Sequence, residues 1–556
     1  MRKLRAATWV GLAVLALVVA GTASAKTWKA QPNEYVVVYQ DGVPLAQARL
    51  AIRQAGGLLV HENAKIGVST VYSANPLFLA EVMRSPALAG AARSRPVGKA
   101  TSVKPRPDLV ERLTDAERAS VKASASRDAP AVGAEPLSRL QWDMAMIHAT
   151  VDGSYAIQQG DPRVRIGIID TGIEASNPDL APNFNAAVSR NFTTDIPAVD
   201  GPCEVPSCQD PANVDDNGHG THVAGTVGAA LNGLGIAGVA PRVTLLNLRA
   251  GQDSGYFFLQ PTVDALTYAG DNSVDVVNMS YYIDPWLFNC VNSPEDSLQA
   301  RMEQGTIILA TTRALRYAYN HGVTLVAALG NGHSDKDNPT IDTSSPDYPP
   351  GSEYLRHVNN TCLDLPTEGE NVISVISVGP STMKADYSDY SIDGAVVAAP
   401  GGYFRDYPGT PLSRRAENLI LSTYSERLAR LNGDLNPDGT PNTPFVLRDC
   451  QSGTCAYYQY LQGTSMASPH AVGVAAVIVS QWGSLQGADG GLGLRPFWTE
   501  WGLTTRAVDH PCPVPPLIDY GPAGRPDSYD ALCQGSAEKN NIWGDGIVDA
   551  MRVLRR

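Results

Sequence analysis

The chain has 556 residues, and at roughly 150 residues per domain that length predicts three or four units. Apolar residues make up 43% and charged residues 18%, an ordinary globular composition that excludes disordered and collagen-like classes. Lys and Arg number 43 against 56 Asp and Glu, and the resulting net charge of −13 disfavours nucleic acid as a partner. The charge is also uneven: residues 1–136 carry +8 and the remainder −21, which predicts two segments that attract each other.

The chain opens with the basic run Met1-Arg-Lys-Leu-Arg5, then an apolar stretch over residues 9–20, then small residues at Ala23 and Ala25. That order predicts a secretory signal over residues 1–25, cut after Ala25. The apolar stretch is shorter than the roughly 20 residues that span a bilayer, so no membrane anchor is expected after signal removal. Residues 34–39 form a strand-like run, 45–55 have helical spacing closed by Gly56-Gly57, and 58–60, 67–72 and 77–83 read as strand, strand and helix. Together they predict a small α+β unit over residues 26–97. Residues 98–136 are rich in Lys, Arg, Ser, Ala and Pro, and predict an exposed, protease-accessible linker.

From residue 137 to 556 the texture changes. Apolar strands at 163–170, 242–248, 274–280, 323–328 and 372–378 alternate with helical stretches near 219–230, 261–269, 311–320 and 465–481. Apolar strands interleaved with helices predict an α/β fold with a mostly parallel sheet covered on both faces. In such sheets the functional site lies beyond the carboxyl ends of the strands.

All eight cysteines follow residue 200. In an exported chain an even count predicts disulfides, and no CxxC pair favours metal instead. Eight cysteines allow 105 pairings. Local pairing is the expectation: Cys203–Cys208, Cys450–Cys455 and Cys512–Cys533, with Cys290–Cys362 closing a longer excursion.

Four motifs carry chemistry. Ile168-Ile-Asp170-Thr-Gly172 sets a carboxylate at a strand end. An aspartic-protease reading needs a partner carboxylate, and the only Asp-Ser-Gly, at 253–255, follows no apolar strand. Asn217-Gly-His219-Gly-Thr-His222 lacks the Glu and the i, i+4 spacing of a zinc helix. His222 reads as a packing residue, whereas glycines on both sides of His219 suggest close approach of another group. Gly463-Thr-Ser465-Met-Ala places a hydroxyl at a helix N-terminus, where backbone N–H groups receive an anion. An N-cap role alone would leave the other motifs unexplained. Asn331 follows the strand Val326-Ala-Ala-Leu-Gly330, and taken alone would be a turn residue.

In the order Asp, His, Ser these motifs resemble the subtilisin-like serine proteases, the subtilase family. The resemblance covers about residues 140–555 and includes residues 233–241 and 543–550. It implies a subtilisin-like three-layer fold, Asp170, His219 and Ser465 as a catalytic triad, and Asn331 in the oxyanion hole. It further implies a secreted serine endopeptidase, extracellular or periplasmic, that acts on proteins or peptides. No cofactor is required for that chemistry, although structural calcium is possible. Residues 26–97 look like the family's propeptide, an intramolecular inhibitor of a precursor. The alternative is a catalytically silent subtilase-like domain used for binding.

The chain departs from the family where Tyr281-Tyr282 follow Asn278-Met-Ser280 in place of backbone-exposing glycines. Two bulky rings there predict a narrowed groove. Insertions at 283–305 and 333–370 border the expected cleft, and a 290–362 disulfide would brace that rim. Asp434-Leu-Asn436-Pro-Asp438-Gly439 has the oxygen spacing that opens a calcium loop, but Phe445 replaces the closing Glu, so a polar turn is expected.

Overall fold

The computed structural model describes residues 33–95, 111, 113–121, 135–486 and 491–555. The expected signal lies outside these residues, as do residues 98–110, 112 and 122–134 of the expected linker.

The body is built on a seven-stranded sheet. Its spatial order is Ala395–Pro400, Val372–Val378, Thr324–Ala328, Val276–Met279, Arg165–Ile169, Thr244–Arg249 and Arg190–Asn191, and every pairing is parallel. The strands are near-continuous apolar runs because both faces are covered. Ile166 and Ile168 point into a core shared with the helices His219–Gly228 and Thr464–Trp482. Ile169, Leu246 and Leu248 point the other way, against Leu259–Asp271 and Leu298–Asn320. Three layers result, as the resemblance implies. The helix Thr464–Trp482 is buried at every position from Thr464 to Val479, and its apolar, small-residue sequence suits a helix with no solvent face.

The N-terminal unit has the predicted elements plus one more strand. Leu58–Asn63, Val68–Ser73, Asn33–Tyr39 and Leu88–Arg95 pair antiparallel in that order. Tyr35, Val37 and Tyr39 pack on the unit's own helices, Leu45–Gln54 and Phe78–Arg84. Val36 and Val38, one step out of phase, join the core formed by the body helices 259–271 and 298–320. The strand Leu88–Arg95 escapes sequence reading because Leu-Ala-Gly-Ala-Ala-Arg has no β-branched residue. Small residues are what the contact demands: a Cβ on Gly90 would lie 2.4 Å from Thr306 Oγ1.

Two expectations change. Residues 113–121 are exposed over most of their length, as a linker should be, but are not irregular chain: a Thr114 capping box starts the helix Asp115–Ala119, and half-buried Leu113 and Val121 pack beside Phe404, Leu419 and Tyr460. The helix expected near 311–320 begins at Leu298, capped by Ser297, so part of the 283–305 insertion is helical. All four disulfides pair as expected. The 434–439 segment is a polar turn in which the Asp438 carboxylate accepts from Thr440, while Asp434 takes the Tyr424 hydroxyl. Among the described residues no helix is long and apolar enough to cross a membrane.

Candidate active site

Asp170 follows the central strand Arg165–Ile169, Ser280 follows its neighbour Val276–Met279, and Asn331 follows the next strand, Thr324–Ala328. Strand order reverses at the first two, so their carboxyl ends open the crevice where such folds bind ligands.

The sequence pattern around His219 has a steric cause. Gly218 adopts φ +96°, a left-handed turn into the helix His219–Gly228. A Cβ on Gly220 would lie 2.2 Å from the Gly172 carbonyl and 3.0 Å from Asp170 Cβ, so only glycine lets the two motifs approach. That approach sets His219 Nδ1 at 2.7 Å from Asp170 Oδ1, both residues buried. The same Asp170 oxygen accepts the Thr171 backbone N–H at 2.7 Å. Asp215, which sequence reasoning missed, ties the loop together: its carboxylate accepts from Thr171, Asn217, Gly218 and Thr221. His222 is the packing residue expected. Its Nε2–H faces the carbonyls of Ile420 and Gln459, and burial pushes its pKa down to about 3.

Ser465 lies in the first turn of the helix Thr464–Trp482. Pro469, four residues on, has no N–H for the Ser465 carbonyl. The Ser280 hydroxyl donates there instead, at 3.1 Å, and the Ser465 hydroxyl donates back to the Ser280 carbonyl at 3.2 Å. The Ser465 hydroxyl is therefore turned toward Ser280. Asn331 Oδ1 accepts from both the backbone N–H and the hydroxyl of Thr464, at 2.9 and 3.0 Å. With its oxygen so held, the amide presents nitrogen as its donor end. Thr464 is thus a second positioning residue that no pattern marked.

Asn331 and Ser465 line one cavity of about 270 Å³, together with Ser280, Tyr282, Leu287 and Asp364. His219 lines an adjoining cavity of about 140 Å³ with Leu419, Tyr424 and Gln462. Glu111 lines both. Both rings of Tyr281-Tyr282 line the cavity, as a narrowed groove requires, but they are held differently. Tyr281 is buried and stacks on Phe257, ring centroids 4.0 Å apart and nearly parallel, whereas Tyr282 has its hydroxyl 2.7 Å from Asp347. At the rim, Cys290–Cys362 lies beside the paired backbones of Asn289 and Leu363. Buried Arg356 binds Asp296 and Asp342 across the two insertions.

Among the described residues one group could hold a cation. Asp195, Glu204, Asp210 and Asp253 present oxygens within 4.8 Å of one another. Burial and mutual repulsion push Asp195 up to about 6 and Asp253 up to about 8. Buried Arg249 pairs with Asp210 and Asp253, leaving the group net negative. Hard carboxylate oxygens suit calcium.

Comparison with known proteins identifies the family. The subtilase family model matches residues 161–496. Subtilisin DY of Bacillus licheniformis is 29% identical over 322 residues, covering 58% of this chain and 78% of that protein. Thermitase of Thermoactinomyces vulgaris is 28% identical over 320 residues, 57% of this chain and 75% of that protein. In fold, the chain is similar to the epidermin leader peptide processing serine protease of Staphylococcus aureus. That match has a TM-score of 0.58 at 18% identity, over 94% of this chain and 98% of the other. The chain belongs to the subtilase family and is a serine endopeptidase.

Proposed function

We propose that Asp170, His219 and Ser465 hydrolyse peptide bonds, with Asn331 receiving the oxyanion. The observation that carries this reading is the 2.7 Å bond between His219 Nδ1 and Asp170, with His219 lining a cavity that adjoins the one walled by Ser465 and Asn331. Rotation about the Ser465 Cα–Cβ bond turns the hydroxyl from the Ser280 carbonyl toward His219. His219 Nε2 takes the hydroxyl proton as Oγ bonds to the scissile carbonyl carbon, then returns it to the leaving amine. Water, deprotonated by the same ring, cleaves the acyl-enzyme. Asp170 fixes the ring's tautomer and stabilises the imidazolium. The Asn331 amide and the Ser465 N–H meet the charge that develops on oxygen. Losing one such donor costs about 10²–10³ in turnover, a magnitude that comes from subtilisin itself.

Ser465→Ala is expected to abolish peptide hydrolysis while circular dichroism and melting are preserved. Unchanged turnover in the purified variant would overturn the assignment. A binding-only domain has no need of a buried Asp170–His219 pair, so the catalytic reading is preferred.

The chain is further read as an exported, autoinhibited precursor: signal 1–25, propeptide 26–97, linker 98–136 and peptidase 137–556. Support for inhibition comes from Glu111, whose N–H donates to the Gln462 carbonyl at 3.0 Å, three residues before Ser465. A chain bound there occupies the cleft. Its flank is held by Glu117 with Arg405, and by Glu111 with Arg525. Mass spectrometry of the active form should find residues 26–97 removed; an active form retaining them would contradict the reading. Structural calcium is proposed at Asp195, Glu204, Asp210 and Asp253. At a hundredfold excess over its dissociation constant it would stabilise the fold by about 2.7 kcal/mol. A melting temperature indifferent to chelation would count against it.

A further inference from the structure

The helix Pro496–Thr505 turns two unlike faces outward and inward. Pro496, Thr499, Gly502 and Leu503 are buried on one stripe, where Gly502 comes down on Ile478. On the opposite stripe Phe497, Trp498 and Trp501 are 50%, 48% and 45% exposed. Trp482, at the end of the long helix Thr464–Trp482, is 37% exposed beside them. Gathered aromatic exposure of this kind marks an interaction surface.

Between the rings lies a hollow of about 420 Å³, walled by Ile478, Leu494, Trp482, Trp498 and Trp501, with Arg506 and Arg555 on its lining. Neither arginine has an ion-pair partner among the described residues. Arg506 stands 5.9 Å from the Trp501 ring. Arg495 and Arg552 are exposed nearby, and Glu500 is the helix's one acid. On a chain of net charge −13, this is a cationic, aromatic face.

The lining narrows the ligand. The hollow offers a sugar no hydroxyl, amide or carboxylate side chain to accept its hydroxyl protons. The Trp482 indole N–H is already spent on the Val553 carbonyl. An apolar hollow edged by guanidinium groups fits an acyl chain beneath an anionic headgroup. Trp and Arg are also the residues that settle at a lipid–water boundary.

We propose that this face docks the protein on an anionic lipid surface, with acyl carbon in the Trp-lined hollow and Arg506 and Arg555 meeting headgroup phosphates. Ser465 and Trp482 lie toward opposite ends of one helix, roughly 25 Å apart at a rise of 1.5 Å per residue. Docking by the tryptophan end leaves the cleft turned away from the lipid and open to substrate.

The test is cosedimentation of the full chain with phosphatidylcholine vesicles and with vesicles containing phosphatidylglycerol. The parent should bind the anionic vesicles. Trp498→Ala with Trp501→Ala should lower that binding at least about tenfold. Arg506→Gln with Arg555→Gln should lower the preference for anionic over neutral vesicles by about tenfold or more. Hydrolysis of a soluble peptide should be unchanged in both. Should the tryptophan variant fail to fold, quenching of the parent's fluorescence by brominated phosphatidylglycerol decides: quenching supports docking, and its absence overturns it. A parent that ignores both vesicles, or variants that bind as well as the parent, would also overturn it. So would a dimer that the tryptophan variant loses, which would assign the face to a second copy, or retention on a polysaccharide matrix without vesicle binding.

Discussion

Lys336 and Arg93 each reach a carboxylate across a seam, and the two seams are built in opposite ways. Lys336 is buried inside the body, with Nζ 2.8 Å from Asp364 and 3.0 Å from Asp389. Burial works against its charge, but the two carboxylates outweigh burial and raise its pKa. Arg93 joins the N-terminal unit to the body through Glu303 at 3.3 Å, with 40% of its side chain in water. His61–Asp264, Lys65–Asp271 and Arg313–Asp41 cross the same seam, each with at least one partner half-exposed or more. An ion withdrawn from water is committed to its partner, whereas a solvated pair exchanges with water at little cost. The difference teaches which contacts are meant to last. The body is locked by buried pairs, and the N-terminal unit is held by an apolar seam with weak, salt-sensitive pairs around it.

The largest expected effect tests the lock. Lys336→Ala strands two buried carboxylates and should cost about 3–5 kcal/mol, read by denaturant unfolding. A loss below about 1 kcal/mol would erase the contrast between the seams. The next effect concerns the segment in the cleft. Burial, opposed by Arg525 and reinforced by the charges of Asp386 and Glu117, pushes the Glu111 carboxyl up to about 7, above the 4.5 of a free glutamate. A raised value means the docked segment holds a proton that the released segment gives up. Docking is thus strongest below 4.5 and weakens as pH rises through about 7. At 1.36 kcal/mol per pH unit, and with 28% of the side chain still in water, the change is on the order of 2 kcal/mol. Precursor activation should therefore be faster at pH 8 than at pH 5 relative to Glu111→Gln, in which this pH dependence should vanish. Equal pH profiles for the two would remove Glu111 from the account.

The smallest effect belongs to the solvated seam. Arg93→Ala should change affinity of the N-terminal unit for the body by no more than about 1 kcal/mol. Raised salt should shrink that difference further. An inhibition constant of residues 26–97 that ignores salt would show the attraction between +8 and −21 to be unimportant.

Five of the seven strands of the body's sheet were legible because they are continuous apolar runs; Arg190–Asn191 and Ala395–Pro400 were not predicted. The candidate residues Asp170, His219, Ser465 and Asn331 were proposed from short motifs, two after strands and two at helix starts. Three disulfides were legible for the same reason, joining cysteines five to 21 positions apart. The strand Leu88–Arg95 was not, since its small residues are chosen by the helix it meets and not by strand propensity. Docking of Leu113 and Val121 depends on a hydrophobic surface some 300 residues away, which no window reveals. Tyr281 shows the same limit. Bulk alone predicted a narrowed groove, and no window reveals that the Tyr281 ring stacks on Phe257 while lining the cavity. Thr464 and Asp215 act through other residues, and single positioning contacts leave no periodic trace.

Labelling with a fluorophosphonate tests the central claim most directly, because the reagent needs an activated serine and no particular substrate. The processed protein should gain one adduct, located on Ser465 by peptide mass spectrometry, and His219→Ala should lose it. An adduct on another residue, or none in protein that hydrolyses peptides, would contradict the account.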